Sequence, residues 1–240
     1  MFKRLFFAFV ILATVQSFSQ PYVTVNAGYA LSAASEIINY KSTDNGHQNV
    51  YGTLGSGLGF GAAIGNMMNE NFGLELGLTY KSGSSMDGNY KSSGHTYDQK
   101  IYGSYFGLTP SLLVETKYNN LRPYAKFGFI VALPSATGEQ STYAGTDKEE
   151  YSGGIALGYV GAAGLKFGTD KLQFFAELGL TSLSWAPSKV KYTDGSSGLS
   201  KEYDLKDEDP SPSSNPTSDR LQQMIPFSNI ALNVGVKLGF

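Results

Sequence analysis

Six ionisable residues stand at alternating positions in segments that are otherwise apolar or rich in glycine. They are Glu75, Glu115, Lys126, Lys166, Glu177 and Lys237, three of each sign. Ionisable groups in a nonpolar setting are costly, so they are normally paired with each other or used to line a path for ions. The two possibilities are a salt-bridged plug and a narrow pore, and the elements that carry the residues must decide between them.

Hydrolytic chemistry has a weaker basis in the sequence. A serine hydrolase needs a serine next to a histidine that a carboxylate orients. The nearest such set is His95 with Asp98 and one of Ser82, Ser84 or Ser85. All of them fall in one predicted loop, where closeness in sequence is expected by chance. The other histidine, His47, also lies in a predicted loop, and neither histidine belongs to a metal-binding motif such as HExxH.

Cofactor and metal motifs are also missing from the sequence. The run GSGLGFG at 55–61 lacks the GxGxxG spacing and a following helix. The acidic residues Asp204, Asp207, Glu208 and Asp209 precede a stretch rich in proline and serine, without the ordered ligand positions of a calcium loop. We therefore predict no catalytic residue, no cofactor and no metal site, and we expect that the protein is not an enzyme.

The segments that position the six charged residues share a two-residue period. In IALNVGVKLGF, Ile230 to Phe240, the even positions are apolar and the odd positions are small or polar. Such alternation is typical of a β-strand with one apolar face. It recurs seven more times, at 22–31, 58–65, 72–81, 102–115, 124–131, 155–167 and 172–181. Most of these strands are close to the roughly 9 to 11 residues that a tilted membrane strand requires.

The connections between the strands alternate strictly in length. NMMNEN, KYNN and GTDK are short and consist of turn-forming residues. The other four connections, near 33–54, 82–99, 134–151 and 187–226, are long. Short turns on one side and long loops on the other are typical of outer-membrane barrels. We predict an all-β fold, an eight-stranded antiparallel up-and-down transmembrane β-barrel with short periplasmic turns and long extracellular loops. In so narrow a barrel the plug is favoured over the pore.

The first residues predict export. Lys3 and Arg4 precede a short apolar run, and Ser17 and Ser19 provide a small-x-small step before Gln20. These are the parts of a signal peptide, and the run is too short for a membrane-spanning helix. We expect a signal peptide at 1–19, one barrel domain at 20–240 and a location in the cell outer membrane.

Composition agrees with this class of protein. Among the 240 residues are 29 glycines, 16 tyrosines and 15 phenylalanines, but no cysteine, and 16 % are charged. A formal net charge of -2 gives no general attraction to nucleic acid. An exported chain without disulfides must gain its stability elsewhere, and a closed hydrogen-bonded barrel would supply it.

Four segments resemble a known family, the small outer-membrane β-barrel proteins of the Bacteroidota, also grouped as the outer membrane protein beta-barrel domain or porin family. They are SFSQ at the end of the signal, YFGLTPSLLVET at 105–116, RPYAKFGF at 122–129 and the terminal VGVKLGF. The resemblance implies the eight-stranded barrel, and it implies that the terminal Phe240 is the signal recognised by the barrel assembly machinery. It does not imply one activity, because eight-stranded relatives of the same shape include membrane-tethering proteins, adhesins and lipid A modifying enzymes.

The expected function is a structural or surface-interaction role without catalysis. A narrow pore for ions or small solutes is the first alternative, and a lipid A directed hydrolase is the second. Expected partners are outer-membrane lipid and lipopolysaccharide, the assembly machinery, and an extracellular ligand bound by the tyrosine-rich loops. We expect a monomer and no binding of nucleic acid.

Overall fold

The computed structural model describes residues 20–33, 36–43, 46–92, 95–208 and 219–240. The predicted signal peptide at 1–19 lies outside the described residues. The described chain consists of strands, turns and irregular segments. Within it, no helix has the length and apolar character needed to cross a membrane.

The described strands are numbered in chain order. They are β1 (Gln20–Ser32), β2 (Ile37–Thr43), β3 (Gly46–Tyr51), β4 (Gly57–Met67), β5 (Phe72–Gly83), β6 (Met86–Ser92), β7 (His95–Glu115), β8 (Leu121–Thr142), β9 (Gly145–Ser152), β10 (Ala156–Gly168), β11 (Leu172–Trp185), β12 (Lys189–Thr193), β13 (Ser200–Lys206), β14 (Asp219–Leu221), β15 (Ile225–Pro226) and β16 (Asn229–Gly239).

Eight of these strands close into a barrel. Around the ring the order is β1, β4, β5, β7, β8, β10, β11 and β16, and β16 pairs with β1 to complete the circle. Every neighbouring pair is antiparallel. Closure leaves no strand of the ring with an unpaired edge, which a lipid environment requires. The chain is an eight-stranded antiparallel up-and-down transmembrane β-barrel, as predicted.

One end of the barrel has short turns. They span 68–71, 116–120 and 169–171. In the second turn Asn119 has a φ of 55°, the left-handed conformation that asparagine tolerates better than most residues. Phe240 lies at the same end, where its backbone N–H donates to the carbonyl oxygen of Pro21 at 3.0 Å. We call this the short-turn end and the opposite one the long-loop end.

The two faces of the barrel wall differ as the alternation predicts. On β5, Leu76 and Leu78 point outward and are 43 % and 63 % exposed, whereas Glu75 points into the lumen with a side chain 8 % exposed. On β16, Leu232 points outward with 62 % exposure and Lys237 points inward with 5 %. An exterior of large apolar side chains is the surface that acyl chains cover.

The four segments predicted as loops contain further strands. β7 and β8 continue past the barrel and stay paired from Phe106 opposite Leu133 to Gln99 opposite Gln140. On one side β6, β2 and β3 extend this pair, and on the other side β9, β12, β13 and β14 do so. The result is a sheet that extends beyond the barrel on one side of the long-loop end, which we call the loop sheet.

Candidate functional site

Glu115 collects three cations inside the barrel near the short-turn end. Its Oε2 lies 2.6 Å from Lys166 Nζ and 3.9 Å from Lys237 Nζ. Its Oε1 lies 3.3 Å from Arg122 Nη1, and Arg122 also pairs with Asp170 in the turn at 169–171. The Glu115 side chain is 2 % exposed, so the three cations replace the water that the carboxylate has lost.

Lys126 forms the second centre of charge, with two carboxylates. Its Nζ lies 3.3 Å from Glu75 Oε1 and 3.0 Å from Glu177 Oε2. Asn233 donates from Nδ2 to Glu177 Oε1 at 3.1 Å. A single ammonium group is therefore shared by two carboxylates, the reverse of the arrangement around Glu115.

Two tyrosines join the centres. Tyr22 donates its hydroxyl hydrogen to Glu75 Oε2 at 3.2 Å, and Tyr124 donates to Glu177 Oε2 at 2.7 Å. Their ring faces receive the cations of the other centre: Lys237 Nζ is 4.1 Å from the Tyr22 centroid and Lys166 Nζ is 4.4 Å from that of Tyr124. Such cation–π contacts gain strength where water is excluded. We call this whole set the lumen network.

All six charged residues predicted to face inward do so, and the structure brings them into this network. Their functional role stays a prediction. The alternation along each strand gives the direction of a side chain, but the ion pairs depend on the register between strands. Arg122 was missed as a partner, although it shares the inward parity of Tyr124 and Lys126 on β8. Lys81 was also left out of the predicted set, although it shares the inward parity of Glu75 on β5.

A packed apolar layer accompanies the lumen network. It consists of Tyr22, Met67, Leu113, Tyr124 and Phe175, all buried. The Tyr124 and Phe175 rings meet edge to face, with centroids 6.4 Å apart. This layer packs across the lumen near the short-turn end, as expected of an eight-stranded barrel whose interior is about as wide as its side chains.

A second apolar layer closes the long-loop end. Its centre is Phe227, whose ring meets those of Tyr105 and Trp185 edge to face, at 5.9 and 6.1 Å between centroids. Leu54 completes it, and all four side chains are at most 2 % exposed. We call these four residues the mouth cluster. The Trp185 indole is held in place by donating from Nε1 to the Gly153 carbonyl oxygen at 2.9 Å.

Two members of the mouth cluster, Leu54 and Phe227, belong to chain segments outside the barrel strands. The Leu54 N–H donates to the Pro226 carbonyl at 2.9 Å, and the Phe227 N–H donates to the Leu183 carbonyl at 2.8 Å. The segment that carries Leu54 passes close to the end of β5, where a Cβ added at Gly83 would lie 2.3 Å from the Leu54 carbonyl oxygen. Sequence periodicity could not reveal this layer, since Leu54 and Phe227 lie outside the alternating strands. The lone tryptophan at the end of β11 was the available signal.

Comparisons with known proteins bear on the fold. A solved structure of a major outer membrane protein from Thermus thermophilus covers 93 % of this chain and 100 % of its own, with 13 % identity and a TM-score of 0.56. OprG from Pseudomonas aeruginosa covers 92 % and 96 %, with 11 % identity and a TM-score of 0.48. Neisserial surface protein A covers 93 % and 100 %, with 11 % identity and a TM-score of 0.44.

The chain has the fold of the outer-membrane β-barrel proteins. No protein-family model matches it, and no curated protein does either. At 13 % identity, the similarity to the Thermus thermophilus structure supports a shared fold and does not indicate a shared function. The Bacteroidota resemblance stays a prediction.

The candidate hydrolase set is not assembled among the described residues. The His95 ring lies 6.5 Å from that of Tyr143, and no hydrogen bond joins it to Asp98 or to the serines at 82, 84 and 85. His47 Nδ1 lies 3.4 Å from Ser42 Oγ on the exposed surface of the loop sheet. Within the described ranges, no group of three His, Cys, Asp or Glu side chains is placed to hold a metal. Asp209 and the prolines that follow lie outside those ranges.

Proposed function

We propose that the chain is a non-catalytic outer-membrane protein whose plugged barrel anchors an extracellular sheet that makes surface contacts. The observation that carries the proposal is the filling of the lumen at two levels, by the lumen network with its apolar layer and by the mouth cluster. A barrel filled in this way serves better as an anchor than as a passage. In this proposal the strands that continue past the barrel make the surface contacts.

The apolar exterior supports a location in the outer membrane. In that location the short turns would face the periplasm and the loop sheet would face outward. Phe240, 78 % exposed at the short-turn end, would be available to the barrel assembly machinery. Lipid and lipopolysaccharide would surround the exterior of a single chain.

Exposed tyrosines support a contact role for the loop sheet. Tyr51 is 58 % and Tyr143 87 % exposed, while Tyr90 and Tyr97 stack with centroids 4.8 Å apart. Tyrosine offers a large, rigid contact area together with a hydrogen-bonding group, which is why recognition surfaces favour it.

Labelling of single cysteines tests the location and orientation, and the absence of native cysteine makes the result easy to interpret. Ala144→Cys is exposed at the tip of the β8–β9 hairpin, and the matched Asn120→Cys is exposed in a short turn. On intact cells a membrane-impermeant maleimide should label the first variant alone, and permeabilised cells should show both labelled. Protection of Ala144→Cys on intact cells would refute an outward-facing loop sheet.

A narrow pore is the second candidate, and one observation favours it. Between the lumen network and the mouth cluster lies a cavity of about 120 Å³, lined in part by Glu75, Lys126 and Glu177. Rearrangement of one closing layer would join this cavity to one side of the membrane. Steady single-channel openings of the intact protein in a planar bilayer would favour this candidate over the anchor.

A further inference from the structure

The cavity between the lumen network and the mouth cluster is lined by apolar residues together with charged and polar ones. Its floor is the charged edge of the lumen network, and its roof includes Tyr105 and Ile130. Four of the lining residues are glycines, and a side chain at any of these positions would take up part of the space. The wall residues with a hydroxyl or amide group are Asn26, Thr79, Thr109, Ser111, Thr181, Asn229 and Asn233. A cavity of about 120 Å³ has room for several water-sized particles, since each needs roughly 10 to 15 Å³ on this measure.

Lys81 points into this cavity from β5. The residue is 4 % exposed, and it lies opposite Tyr105 on β7 and Gly59 on β4. A Cβ added at Gly59 would lie 2.6 Å from Lys81 Nζ, so the ammonium group occupies the space that this glycine leaves free. Among the described residues, Lys81 Nζ has no hydrogen-bond or ion-pair partner, and it faces the open space of the cavity.

The acids of the lumen are already in use. Glu115, Glu75 and Glu177 are paired with the other cations of the lumen network, as is Asp170 with Arg122. Glu75 lies six residues from Lys81 on the same strand, about 20 Å along it, which is beyond the reach of a direct ion pair. Lys81 is therefore the one buried cation without a carboxylate in the described part of the barrel interior.

A buried ammonium group without a counter-charge is expensive, whereas a paired one is tolerated. The cavity offers both the room for a counter-ion and several hydrogen-bond donors in addition to Lys81. We propose that it binds a small inorganic monoanion, such as chloride, next to Lys81 Nζ. The anion would lie between the mouth cluster and the lumen network, and the proposal does not depend on the surface role or on conduction.

Halide-dependent heat stability tests the site in solution. The refolded full-length protein is unfolded by heat in sodium chloride and in sodium gluconate of equal ionic strength, because gluconate is too large for the cavity. The wild-type midpoint should be higher in chloride by at least about 2 °C, since a ligand that binds only the folded state raises it. Lys81→Met should abolish the difference, and Lys171→Met, a change at an exposed lysine in a short turn, should preserve it. An equal chloride effect in Lys81→Met would overturn the proposal.

A bromide experiment on the wild-type protein covers the case in which Lys81→Met fails to refold. Crystals grown in sodium bromide should show an anomalous peak in the cavity, in contact with Lys81 Nζ. A cavity holding only water, with no anomalous peak beside Lys81, would refute the anion site whatever the variants do.

Discussion

Glu115 is the residue on which the ion pairing of the short-turn end depends. Changing it to glutamine removes the charge shared by Lys166, Lys237 and Arg122 while keeping the shape of the side chain. Leaving buried cations without their counter-charge should lower the free energy of unfolding by roughly 3 to 5 kcal/mol. Urea titration of the protein refolded in lipid vesicles measures the change.

The matched control for Glu115→Gln is Glu202→Gln in the loop sheet. Glu202 also makes a 2.6 Å ion pair, with Lys189, but both side chains are at least half exposed. Because water and salt screen an exposed pair, this variant should unfold almost as the wild type does. Equal losses from the two substitutions would contradict the view that burial gives the lumen network its importance.

Asp194 is an exposed carboxylate whose charged form is stabilised by hydrogen bonds, at a turn between β12 and β13. Hydrogen bonds from the hydroxyl of Ser196, and then from the backbone and hydroxyl of Ser197, lower the pKa of its carboxyl to about 2. Because the folded-state pKa is lowered, the turn is fully stabilised above the ordinary carboxyl range. That stabilisation is lost as the pH falls through about 2.

Ser196→Ala should raise the pKa of Asp194 towards the ordinary range, since the hydroxyl donor at 2.6 Å is removed. A titration of the Asp194 carboxyl carbon by nuclear magnetic resonance measures the shift. Ser200→Ala serves as the control, because the Ser200 hydroxyl contacts Thr193 and leaves Asp194 unchanged. An unmoved Asp194 titration in Ser196→Ala would show that the turn does not form in solution as described.

At the scale of elements, Arg220 attaches β14 to the loop sheet. Its Nη1 lies 2.9 Å from Glu149 Oε1 on β9, and its guanidinium lies 4.1 Å from the ring centroid of Tyr203 on β13. Next to it, the Gln222 N–H donates to the Lys206 carbonyl at 2.8 Å. The guanidinium also lies 5.9 Å from the ring centroid of Tyr192 on β12, so one side chain connects β14 with β9, β12 and β13.

Arg220→Met should open β14 locally and leave the barrel intact. Losing one partly exposed ion pair and two cation–π contacts should speed amide hydrogen exchange at Gln222 by about tenfold. Lys189→Met, which removes an exposed pair elsewhere in the sheet, should leave that rate near the wild-type value. A uniform rise in exchange across the barrel strands would instead mean that Arg220 supports the whole fold.

The barrel strands could be predicted from sequence because each has one face in lipid and one in the lumen. That difference in environment imposes alternation, as on β16, where Leu232 and Lys237 take opposite faces. The strands of the loop sheet could not be predicted in the same way. β2, β3 and β9 carry polar residues on both faces, so no two-residue period of hydrophobicity marks them.

For the candidate site, the sequence predicted only which side chains point into the lumen. Parity placed Glu115 and Lys166 in the lumen, but their 2.6 Å contact follows from the register of strands that are distant in sequence. Leu54 and Phe227 had no periodic signal at all. Their positions depend on how two segments cross the long-loop end, which is a property of tertiary packing.

For the whole molecule, the central claim is that the barrel is closed and acts as an anchor. Single-channel conductance of the refolded intact protein in a planar bilayer tests it most directly, after reduced gel mobility on heating has shown that the barrel is folded. We expect silence at both polarities, because the mouth cluster and the lumen network close the lumen at separate levels. Steady openings of the intact, folded protein would contradict it and identify the inward lysines and glutamates as the lining of a pore.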